Sequence, residues 1–82
     1  MSRKEKLRSR LDLLPKDFTW EELVTLLGHY GFKVLNGSGS RRKFVNAEKR
    51  VVAFHCPHPS SIVKGYVLEE AKSLLDELDN NG

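Results

Sequence analysis

Eighty-two residues, 39% of them hydrophobic, suit one small globular domain with a single modest core and supply too little apolar surface for two. One cysteine excludes an intrachain disulfide framework and fits a reducing compartment, and no apolar run approaches the length of a membrane span, so a cytoplasmic setting is expected. The net charge of +3 hides a division along the chain: residues 1–16 and 33–50 are basic blocks, whereas residues 67–82 hold Lys72 against Glu69, Glu70, Asp76, Glu77 and Asp79, a bipolar arrangement that fits a polyanion on one face.

Residues 3–14 place Leu7, Leu11 and Leu14 at i, i+4 and i+7 among cations, which predicts a short amphipathic helix, or a basic arm, ended by Pro15. The cations of residues 1–10 precede no apolar run and do not read as a secretory signal. Residues 1–16 are therefore read as a basic N-terminal helix or arm, and residues 17–82 as the main domain.

The next helix carries the strongest local signals. Thr19 as N-cap and Glu22 three residues on form a capping box, and Phe18 and Leu23 form a hydrophobic staple across it. Trp20, Leu23, Val24, Leu27 and Tyr30 make an apolar, core-facing stripe, and Gly31 is placed to end the helix in a left-handed conformation. His29, close to the C-terminal end, is favoured there electrostatically when protonated, which is reason enough for its presence.

From Phe32 the apolar period becomes two. Residues 32–35, 41–46 and 50–55 read as strands, with a turn over 36–40. That turn, rich in glycine and serine, runs into Arg41, Arg42, Lys43 and Phe44, so it delivers three cations to the start of a strand. Guanidinium forks match phosphate oxygens, and the small residues beside them let a sugar-phosphate backbone approach. With Phe44 inward, alternation sends Arg41 and Lys43 to the opposite, open face and leaves Arg42 on the Phe44 side. Val52 and Phe54 join Phe44 in the core, and Ala53 and His55 fall on the open face.

His55-Cys56-Pro57-His58-Pro59 leads out as a stiff loop. Its histidines and thiol are too crowded for the usual zinc spacing, and no second cluster completes a ligand set, so no metal and no other cofactor is expected. A last helix from about Gly65 buries Val67, Ala71, Leu74, Leu75 and Leu78 and turns its acids to solvent, with residues 79–82 fraying. The order helix, helix, three antiparallel strands, helix predicts an α+β sandwich: the last two helices cover one sheet face, the N-terminal helix is extra, and the other face stays open.

The helix ending in Tyr30-Gly31-Phe32, the Gly39-Ser40-Arg41-Arg42-Lys43-Phe44 hairpin, the Pro57-His58-Pro59 exit and Lys64-Gly65 at the start of the last helix make residues 18–78 resemble the HicA family of toxins from bacterial and archaeal toxin-antitoxin pairs. The resemblance implies a double-stranded-RNA-binding-domain-like fold, metal-independent endonuclease (mRNA interferase) activity and neutralisation by a HicB-like antitoxin. It also implies a catalytic histidine in a Gly-Ser-His pattern, and this chain has Arg41 at that place. Arginine has no acceptor and cannot take a proton from a ribose hydroxyl, but it can bind phosphate and stabilise charge developing on it. The expected RNA-binding residues are Ser40, Arg41, Arg42, Lys43 and Lys64; a catalytic set would join Arg41 to His55, or to His58 in its proline-braced loop. Three functions stay open: a HicA-like toxin that binds and cleaves mRNA, a non-catalytic RNA-binding module, and a protein-interaction domain for an acidic partner.

Overall fold

The computed structural model describes residues 3–36, 41–57 and 60–80. In chain order these form α1 (Arg3–Asp12), α2 (Trp20–His29), β1 (Lys33–Asn36), β2 (Arg41–Val45), β3 (Val51–His55) and α3 (Gly65–Asn80), and the strands make one antiparallel sheet in the order β1-β2-β3. The architecture is the α+β one expected from the alternation of apolar periods.

α1 docks through Leu7 and Leu11, which lie in the same buried cluster as Phe18, Leu23 and Leu75. Burying each leucine contributes about 1.5–3 kcal/mol. The helix stops at Asp12, short of the expected end, and Leu14 leaves the buried stripe: it is 37% exposed, with φ of 49°. The cause is local. The Leu13 and Leu14 N–H groups bond the Arg10 and Leu11 carbonyls at 3.1 and 2.9 Å, closing a tight last turn before Pro15, and that turn swings Leu14 off the stripe.

α2 begins with the expected capping box. The Glu22 N–H donates to the Thr19 hydroxyl at 3.2 Å and the Thr19 N–H donates to the Glu22 carboxylate at 3.1 Å. Phe18 and Leu23, the two ends of the staple, are fully buried. At the other end the Gly31 N–H reaches Gly28 O and the Phe32 N–H reaches Leu27 O, both at 3.0 Å, with Gly31 at φ of 90°. These paired bonds form a Schellman cap, which needs the left-handed conformation that glycine adopts without strain. Because Phe32 closes this cap, β1 starts one residue later than expected. Leu26 joins the buried stripe, whereas Trp20, expected in the core, is only half-buried, its ring tilted on Phe44 with centroids 5.7 Å apart.

Residues 18–20 also pair with the segment before α3. The Trp20 N–H donates to Ser61 O and the Val63 N–H to Phe18 O, each at 2.8 Å, so the exit from β3 is pinned to the start of α2. α3 buries Val67, Leu68, Ala71, Leu74 and Leu75 and continues to Asn80. Asp79, expected to fray, is still helical, and its carboxylate accepts the Tyr30 hydroxyl at 3.2 Å and faces Arg8 at 3.7 Å; residues 81 and 82, expected to fray with it, lie outside the described residues.

Candidate functional site

One sheet face carries Phe44, Phe54 and Val52 toward the helices. Strand alternation then sets Lys33, Leu35, Arg41, Lys43, Val45, Val51, Ala53 and His55 on the opposite face. The register orders them into rows: Arg41 lies opposite His55, Lys43 sits between Leu35 and Ala53, and Val45 sits between Lys33 and Val51.

Hydrogen-bond parity refines this arrangement. The Asn46 N–H donates to Arg50 O at 3.1 Å, which makes that pair a hydrogen-bonded one. Stepping by two, Phe44 with Val52 and Arg42 with Phe54 are also hydrogen-bonded pairs, so Lys43 with Ala53 and Arg41 with His55 are non-bonded ones. In such pairs the Cα atoms approach to about 4.5 Å and the side chains stand closest. Arg41 and His55 are therefore held side by side, and both are exposed.

The Asn46 side chain fixes the turn that sets this register, its Oδ1 accepting the Glu48 and Arg50 N–H groups at 3.0 and 2.8 Å. Among the described residues the face holds three cations, Lys33, Arg41 and Lys43, and no carboxylate. Leu35 and Val51 flank them at 47% and 57% exposure, an apolar surface that suits a sugar or base edge. Lys33 escaped the sequence reading; its parity with Val45 becomes apparent only once the register is known.

The other expected site residues are placed as follows. Arg42 is half-buried on the Phe44 side, with Nη1 donating to its neighbour's carbonyl, Arg41 O, at 3.2 Å. Lys64 is exposed in the loop before α3, where its carbonyl accepts the Val67 and Leu68 N–H groups. Ser40 and His58 lie outside the described residues. Of the expected residues, the described sheet thus gathers Arg41, Lys43 and His55. Among the described residues no group of three or more His, Cys, Asp or Glu stands together as a metal site, and no helix is long and apolar enough to cross a membrane.

Chemically the face offers fixed positive charge beside an imidazole. Guanidinium and ammonium groups bind phosphate at any physiological pH, and imidazole exchanges protons near neutrality. A family model described as the HicA toxin of bacterial toxin-antitoxin systems matches residues 20–75, which take in α2, the whole sheet and most of α3 and leave α1 outside. No curated protein and no solved structure matches the chain.

Proposed function

The chain belongs to the HicA toxin family, and from that membership we propose that its uncovered sheet face binds messenger RNA in the cytoplasm and is kept inactive by a HicB-like antitoxin. Arg41 and Lys43 take backbone phosphates, and Lys33 extends the cationic path to β1. The observation that carries this reading is the register that sets Arg41 directly opposite His55 on a face whose described residues include no carboxylate.

That pairing also supports cleavage without a metal. Neutral His55 accepts the proton of a ribose 2′-hydroxyl, the 2′-oxygen attacks the adjacent phosphorus, and the 5′-oxygen leaves and is protonated by water, giving a 2′,3′-cyclic phosphate. Arg41 stabilises the charge that builds on the phosphoryl oxygens. Binding without cleavage is the second reading, and it is favoured by arginine at position 41, where the family resemblance implies histidine.

The purified chain incubated with RNA separates the two readings. If it cleaves, His55→Gln should abolish cutting and leave binding nearly intact, since glutamine forms hydrogen bonds but exchanges no proton near neutral pH. Arg41→His should raise cleavage, with an optimum near pH about 6.5. If the wild type and Arg41→His both bind RNA and neither cuts it, catalysis is lost and the binding reading stands.

A further inference from the structure

An open groove of about 720 Å³ runs between β3 and α3, and its lining includes none of the cations Lys33, Arg41 and Lys43. Its α3 wall is built from Tyr66, Glu69, Glu70, Ser73 and Glu77, residues three or four apart that form a stripe along one side of the helix. Its floor is apolar, made by Phe54, Val52 and Leu74.

The opposite wall is a sheet edge. Among the described residues β3 pairs only with β2. The parity derived above directs the N–H and C=O groups of Val51 and Ala53 away from β2, and Ala53 lines the groove. Such an edge is a template for one more strand.

Charge decides what kind of strand fits. Arg50 is engaged with Glu77 through two bonds of 2.9 Å, and Glu69 and Glu70 have no ion-pair partner among the described residues. The groove therefore presents two uncompensated carboxylates above an apolar floor, which repels phosphate and attracts cations.

We propose that this groove receives an extended, cationic segment of a partner protein, added to the sheet as a strand beside β3. Period-two alternation would set every second side chain over α3, so lysine or arginine at those positions meets Glu69 and Glu70, with Tyr66 at one end of the path. A second copy of this chain fits less well, because β2 is paired on both sides and β1, the other edge, contributes only Lys33 as a cation.

The test uses the isotope-labelled full chain and a short synthetic peptide of alternating lysine and valine, with a glutamate and valine peptide as control. The lysine peptide should shift amide resonances over residues 51–55 and 66–77 and slow hydrogen exchange at Val51 and Ala53. Reversing the charge with Glu69→Lys and Glu70→Lys together should weaken binding by about tenfold or more and transfer preference to the glutamate peptide. Both residues are exposed, so an otherwise unchanged spectrum will show that the variant is folded. Absence of binding at millimolar peptide, shifts confined to Lys33, Leu35, Arg41 and Lys43, or indifference to charge reversal would overturn the proposal. So would groove shifts that appear on raising the protein concentration alone, which would assign the groove to a second copy. No readout involves RNA, so failure here is distinguishable from failure of the RNA reading.

Discussion

A guanidinium at position 41 offers hydrogen-bond donors to phosphate and no acceptor, so in the mechanism proposed for the uncovered face the proton falls to the imidazole of His55 across the strand pair. The placement of Arg41, Lys43 and His55 on that face was legible in the sequence because one buried aromatic, Phe44, sets the parity of β2, and alternation then carries to β3 through Phe54. Lys33 was not legible, since its inclusion depends on pairing between strands. Leu14 illustrates the opposite failure. Helical spacing puts it on the buried stripe, but the turn into Pro15 places it in the left-handed region, where a non-glycine side chain is strained. Leu14→Gly is expected to change stability by less than about 1 kcal/mol, because relief of that strain is offset by the loss of a side chain that is only 37% exposed and by the extra flexibility of the unfolded chain. Denaturant unfolding of the two proteins checks this.

At the scale of elements, α2 was the most legible because its boundaries are written in adjacent residues: a capping box at one end and a glycine cap at the other. The attachment of α1 and the end of α3 were less so, since they rest on contacts between distant parts of the chain. Arg8 joins Asp76 and Asp79, and Arg10 joins Asp17 and Glu22, so charges that look solvated in sequence hold helices together. These pairs give stability a pH dependence. Partial burial works against the charged form of Glu22, but hydrogen bonds from Arg10 and Thr19 outweigh it and hold the carboxyl below its ordinary value of 4.5. Lys72 and Arg8 likewise lower Asp76, and Arg50 lowers Glu77. A carboxyl depressed in the folded state contributes stability that is present above its ordinary value and lost as pH falls through the folded one. The melting temperature should therefore fall on acidification below about pH 4.5, and Glu22→Gln should be less stable at neutral pH but lose less on acidification. Equal acid sensitivity in the two proteins would mean that Glu22 is not an anchor of the α1–α2 contact.

Over the whole molecule, the charge division visible in the sequence becomes two surfaces, a cationic sheet face and an acidic groove beside α3. The α+β class was legible because the apolar period changes once into the sheet and once out of it; the groove was not, because it exists only where α3 overhangs a strand edge. If the cationic face binds RNA, affinity must depend on salt through counterions released from phosphates. The most direct measurement is the slope of log affinity against log salt for single-stranded RNA, compared among the wild type, Arg41→Ala and Lys43→Ala. Each substitution should weaken binding largely independently of sequence and reduce the magnitude of the slope by about 0.7. Slopes unchanged in both variants would contradict the account and place the RNA site elsewhere on the molecule.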